Sequence, residues 1–97
     1  KGDEGEHQHD EMEFIAFVSK KQISKKVFEN FANTLPENIY RAKGVVNLGG
    51  EGYLFNYVAG KWNLEKFEAE KTEIVFIGKE LGKIKKEFGQ KLKELQN

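Results

Sequence analysis

The apolar residues of this chain form two uninterrupted runs, and each run predicts a buried β-strand. One run is Phe14–Val18 and the other is Ile74–Ile77. Both are too short for a core helix and consist mainly of aromatic and β-branched residues. A strand that is apolar at successive positions needs cover on both faces, so we expect both strands to be central in the sheet.

Two other segments carry apolar residues at steps of three and four, which predicts amphipathic helices. Ser24 can N-cap the first helix, and Pro36 ends it. The second helix starts at Leu81 and contains Gly82 and Gly89, each of which weakens it by about 1 kcal/mol. The apolar stripes are Val27, Phe28, Phe31 and Leu35 in the first helix, and Leu81, Ile84, Phe88, Leu92 and Leu95 in the second.

The middle of the chain predicts a meander of three strands. Residues 40–48 and 53–58 flank the glycine-rich turn Gly49-Gly50-Glu51-Gly52, where glycine tolerates positive φ angles. A second reversal at 59–61 leads into a half-buried strand that contains Trp62 and Leu64.

These elements predict an α+β fold in two layers. A mixed, mostly antiparallel sheet of about five strands, with the chain order β-α-β-β-β-β-α, carries two helices on one face. The other face must then be covered by something outside the domain. We place the folded domain at 13–97, after a linker or tail at 1–12.

The charge of the chain is zero overall but unevenly distributed. Residues 1–13 hold six acids against Lys1, and residues 14–97 hold fifteen bases against ten acids. The tail is therefore acidic and the domain mildly basic, which is too weak a signal to favour nucleic acid. The chain has no cysteine, which excludes disulfides, thiolate metal sites and cysteine nucleophiles.

Targeting signals are missing from the sequence. No apolar run approaches the ~20 residues of a membrane span, and no signal peptide is visible. We therefore expect a cytoplasmic protein with no membrane partner. The chain begins at Lys1 and its only methionine is Met12, so we expect it to be a piece of a longer protein.

The tail contains the one candidate metal site. His7 and His9 are two residues apart, so in an extended chain they can share one divalent ion such as zinc or cobalt, with Asp10 as an oxygen ligand. A stable zinc site normally needs three or four protein ligands. A solvated acidic linker therefore remains the alternative interpretation.

Catalytic motifs are absent from the sequence, and we expect no enzyme activity in this chain and no cofactor in its folded part. The glycine-rich segment 49–52 lacks the Gly-Lys-Ser/Thr end of a phosphate-binding loop and lies between strands. There is no Gly-x-Ser-x-Gly motif, and no histidine follows His9 to serve as a base.

Arg41 and Lys43 are the best candidates for a binding role. Arg41 is the only arginine among sixteen basic residues, and its planar fork suits carboxylate or phosphate. Lys43 shares its strand face. The two residues can dock a partner, or Arg41 can form a local ion pair with Glu37 or Glu73. Trp62 is a further docking candidate, with core packing as its alternative role.

The sequence resembles the C-terminal domain of CobW-type GTPases, a family of nucleotide-dependent metallochaperones. The resemblance covers about 14–95 and rests on the opening strand, the helix with Phe28 and Phe31, Tyr40-Arg41-Ala42-Lys43-Gly44, Trp62 after a hairpin, and Val75-Phe76-Ile77-Gly78-Lys79. The tail is similar to the His- and acid-rich linker of many members.

The resemblance implies a non-catalytic accessory domain of a GTP-dependent protein that handles zinc or cobalt or serves cobalamin synthesis. Its partners would be the GTPase domain of the same parent chain, which holds GTP and Mg, and a metal-requiring client. The family's cysteine-containing metal motif has no counterpart here. Two alternatives remain: a metal-binding module that uses His7 and His9, and a free-standing ligand or nucleic-acid binder.

Overall fold

The computed structural model describes residues 12–96 as one antiparallel sheet with two helices. The strands run in the order β1-β5-β2-β3-β4, and every neighbouring pair is antiparallel. The predicted α+β fold with five strands and the chain order β-α-β-β-β-β-α is confirmed. The elements are β1 (Glu13–Ser19), α1 (Lys25–Asn33), β2 (Ile39–Leu48), β3 (Glu51–Val58), β4 (Lys61–Lys66), β5 (Thr72–Gly78), a 3-10 turn (Leu81–Lys83) and α2 (Lys85–Leu95).

Local signals set the start of α1 as expected, but two predicted helix ends are wrong. α1 ends at Asn33, before Pro36, and Leu81–Lys83, the predicted start of the second helix, is a 3-10 turn. The Ser24 hydroxyl accepts a hydrogen bond from the Val27 amide at 3.4 Å and caps α1. The first glycine-rich turn is shorter than predicted, because only Gly49 and Gly50 have positive φ angles, of 65° and 98°. Glu51 already belongs to β3.

The core lies between the helices and one face of the sheet. Its centre is a group of aromatic rings that join the two layers. Phe28 of α1 meets Phe55 edge-on at 4.9 Å between ring centres, and Phe88 of α2 meets Phe76 edge-on at 5.0 Å. Each helix is therefore fixed to the sheet by an aromatic pair.

The predicted central position is wrong for β1 and right for β5. β1 forms an edge of the sheet, and β5 lies between β1 and β2. Within the domain both strands are buried on the helix side only, because the exposed fraction is 63% for Phe14, 52% for Val18 and 41% for Val75. The expectation that something outside the domain covers the other face stays a prediction. The helices cover one face only, and no other part of residues 12–96 covers these side chains.

Candidate docking surface on the open sheet face

The face of the sheet opposite the helices, which we call the open face, is built from the outward residues of all five strands. The pairing registers arrange these residues in three rows that cross the sheet. In the order β1, β5, β2, β3, β4, the rows are Phe14, Ile77, Arg41, Val58 and Lys61; Ala16, Val75, Lys43, Asn56 and Asn63; and Val18, Glu73, Val45, Leu54 and Glu65.

The open face exposes large apolar side chains to solvent. More than half of its positions carry aliphatic or aromatic side chains, and several are strongly exposed, with Phe14 at 63%. Monomeric proteins rarely expose large contiguous apolar patches, and such patches mark interaction sites. The apolar members are Phe14, Ala16, Val18, Val45, Leu54, Val58, Val75 and Ile77.

Arg41 and Lys43 lie together in the middle of this surface. They belong to β2, the third of the five strands, and their Cα atoms are about 7 Å apart because they are two residues apart on one strand. Ile77 and Val58 flank Arg41, and Val75 and Asn56 flank Lys43. The strand register therefore confirms the prediction that Arg41 and Lys43 lie on one face of the sheet.

The described residues supply no anionic partner for either cation. Within residues 12–96, neither Arg41 nor Lys43 has an ion pair within 4.0 Å or a side-chain hydrogen bond. Glu73 is instead approached by Lys71, with 4.0 Å between Nζ and Oε2. Arg41 thus forms neither of the local ion pairs, with Glu37 or Glu73, that were its alternative role.

Charge on the open face is also separated along the strands. Arg41, Lys43 and Lys61 occupy the first two rows, whereas Glu65 and Glu73 occupy the third. A partner that covers the face is expected to place carboxylates over the first two rows and apolar side chains around them.

Trp62 is separated from these cations by the sheet. It is half-buried on the helix side, where its Nε1 donates a hydrogen bond to Asn33 Oδ1 at 2.8 Å. Its ring lies 6.4 Å from that of Phe55. The structure therefore brings Arg41 and Lys43 together, and it places Trp62 in a contact that joins β4 to α1.

A cleft of about 800 Å³ lies at the β2–β3 turn, and none of the residues that line it belongs to the open face. Glu51 is its best-defined ionisable group. A hydrogen bond from the Tyr53 hydroxyl at 2.7 Å, and the nearby Lys66 ammonium at 3.7 Å, hold the pKa of Glu51 below its ordinary value of 4.5. These neighbours stabilise a carboxylate and give no acid–base pair.

The candidate metal ligands His7, His9 and Asp10 lie outside the described residues, so that site stays a prediction. From residue 12 to residue 96, no group of three or more His, Cys, Asp or Glu residues is placed to hold a metal ion. No helix in the same part of the chain is long and apolar enough to cross a membrane.

The outward residues of β1 and β5 are absent from the docking residues predicted from the sequence, although the sequence predicts a sheet face that is covered from outside the domain. A run of consecutive apolar residues requires cover on both faces. The same signal could have assigned these residues to the face that carries Arg41 and Lys43.

Comparisons with known proteins agree with this architecture. Residues 12–96 match the family model described as the cobalamin synthesis protein CobW C-terminal domain. Two solved structures share the fold with a TM-score of 0.70: Zn(II)-bound YjiA GTPase from E. coli, at 19% identity, and a Zn(II)-bound triple mutant of YjiA GTPase, at 18%. Identities this low show the fold alone.

The aligned part is a fraction of those structures. It includes 96% and 89% of this chain but only 32% and 30% of the two YjiA chains. A comparison with curated proteins finds no significant match. The resemblance stated from the sequence is confirmed by the family match.

Proposed function

Because the chain belongs to the family of CobW C-terminal domains, we propose that it is a non-catalytic accessory domain whose open face docks on the GTPase domain of its parent protein. The observation that carries the proposal is the position of Arg41 and Lys43, without anionic partners among residues 12–96, at the centre of an exposed apolar face. Exposed apolar side chains surround these two cations, and this arrangement is typical of protein–protein interfaces.

The comparisons support the choice of partner. The chain spans about 30% of two chains whose descriptions name a GTPase, so the remainder of such a protein is available to cover the open face. Both descriptions also name bound Zn(II). We extend the proposal to a GTP-dependent protein that delivers zinc or cobalt to a client protein.

Arg41 provides the sharpest test of docking because lysine retains its charge but loses the planar fork. If the guanidinium binds a carboxylate of the GTPase domain through two hydrogen bonds, Arg41→Lys should weaken association by about 1–3 kcal/mol, or about 5- to 150-fold in Kd. The stability of the isolated domain should change by less than about 0.5 kcal/mol, because Arg41 is exposed.

The experiment is a titration calorimetry measurement of the 97-residue chain against the separately expressed GTPase domain, paired with thermal unfolding of each variant. Lys43→Gln should also weaken binding. Lys26→Gln is the matched control, since Lys26 is an exposed residue of α1, on the helix side. Unchanged affinity together with lowered stability in Arg41→Lys would make Arg41 a structural residue and remove the proposal.

A further inference from the structure

The two edges of the sheet differ in how they are protected from pairing with other strands. β4 carries Lys61, Glu65 and Lys66, and charged side chains are a common protection of edge strands. β1 has no charge between Glu13 and Lys20, contains no proline, and pairs with β5 without a bulge. Within residues 12–96, no strand pairs with its outer side.

We propose that the β1 edge pairs with β1 of a second copy of this chain, so that the two sheets join into one of ten strands. The pairing is antiparallel and has a two-fold axis at Ala16. Each copy therefore contributes the same seven residues, Glu13–Ser19, to the interface. This interface uses the main-chain edge of β1 and shares the outward β1 side chains with the open face, but it leaves Arg41 and Lys43 uncovered.

The sequence of β1 is complementary to itself in this register. On the open face, Phe14 of one copy lies opposite Val18 of the other, and aromatic and β-branched residues form favourable cross-strand pairs. The small Ala16 meets its own copy on the axis. On the helix side, Ile15 lies opposite Phe17.

The ends of the paired strands bring opposite charges into the same region. The register sets Glu13 of one copy opposite Ser19 of the other, and Lys20 and Lys21 follow Ser19 directly after the end of β1. Glu13 Oε1 accepts a hydrogen bond from the Leu81 amide of its own copy at 2.8 Å, so the attraction to these lysines is a secondary contribution beside the apolar pairs. Registers displaced by two residues leave fewer β1 residues paired and remove the Phe14–Val18 contact.

The interface is small, so the dimer is expected to be weak. A pair of seven-residue strands buries less than the roughly 1,200 Å² of standard interfaces, which favours a concentration-dependent equilibrium. Sedimentation velocity of the 97-residue chain between about 10 μM and 1 mM should show a reversible monomer–dimer shift.

A cysteine crosslink locates the interface, because the chain has no native cysteine. The Ala16→Cys variant places two thiols on the axis, where Cβ atoms of directly opposed residues are about 4.5–5.5 Å apart, close enough for a disulfide after a small adjustment. Asn63→Cys is the matched control: Asn63 is exposed, lies in the same row and belongs to the other edge strand. We expect the disulfide dimer of Ala16→Cys to form at least tenfold faster.

A charge variant tests the same register without a covalent bond. Ala16→Lys sets two like charges opposite each other and should weaken self-association about fivefold, whereas Asn63→Lys should leave it unchanged. A wild-type chain that remains monomeric at the highest concentration, or equal crosslinking rates for the two cysteine variants, would overturn the proposal.

Discussion

Replacing Gly44 with alanine should destabilise the domain because β2 and β5 approach closely at this residue. A Cβ atom at Gly44 would collide with the carbonyl oxygen of Glu73 and lie 2.7 Å from the Cα of Ile74. Ordinary van der Waals contact begins at 3.4 Å, so relieving the Ile74 contact alone would move one of the two backbones by about 0.7 Å, and the closer Glu73 oxygen would require a larger shift. Main-chain atoms cannot rotate away as a side chain does.

Gly44→Ala is expected to lower the free energy of unfolding by an amount at the upper end of the range for overpacking substitutions. β2 pairs with β3 on one side and β5 on the other, so a shift at Gly44 disturbs two hydrogen-bonded ladders. Overpacking typically costs about 1–3 kcal/mol, and we expect about 3 kcal/mol here. For a domain of this size, that lowers Tm by roughly 12–24 °C.

Gly89→Ala is the matched control and should act in the opposite direction. Gly89 lies inside α2, and a Cβ atom there would have nothing within 4 Å. Alanine is favoured over glycine in a helix by about 1 kcal/mol, so Tm should rise by roughly 4–8 °C. Both variants replace glycine with alanine, so both lower the conformational entropy of the unfolded chain by the same amount. The difference between their free energies of unfolding therefore reports the folded environment of each glycine.

The assay is urea unfolding followed by circular dichroism, with thermal melts of the same samples. The slope of the urea transition should stay constant, so that the midpoint alone reports stability. A Gly44→Ala variant as stable as the wild type, or more stable than Gly89→Ala, would show that β2 and β5 are not held this closely at Gly44.

Two further predictions follow from the faces of the sheet and from its turn. Phe17→Asp should abolish cooperative unfolding because it buries an unpaired charge, whereas Phe14→Asp on the same strand should melt within a few degrees of the wild type; equal effects would contradict the assigned faces. Tyr53→Phe should raise the pKa of Glu51 towards 4.5, measured by NMR titration of its carboxyl carbon, because the lowered pKa depends first on the tyrosine hydroxyl. The associated stabilisation is present above pH 4.5 and is lost as the pH falls through the lowered pKa, so the variant should lose less stability on acidification than the wild type.

The sequence predicted those features that depend on near neighbours. The cap at Ser24 and the turn at Gly49-Gly50 follow from the chemistry of one or two residues. The shared face of Arg41 and Lys43 follows from the two-residue period of a strand and needs no knowledge of the remaining chain. These local rules also identified all five strands and both helices.

The order of the strands and the cover of each sheet face depend on long-range packing. An apolar run such as Phe14–Val18 shows that two faces need cover, but the same run suits a central strand or an edge strand with an exposed face. The edge position of β1 results from the insertion of β5 between β1 and β2, a pairing between residues about sixty positions apart. The helix-side contact of Trp62 with Asn33 likewise joins distant segments. Long-range packing selects among arrangements that all satisfy the same local pattern, and for this reason the open face could be located only in the folded chain.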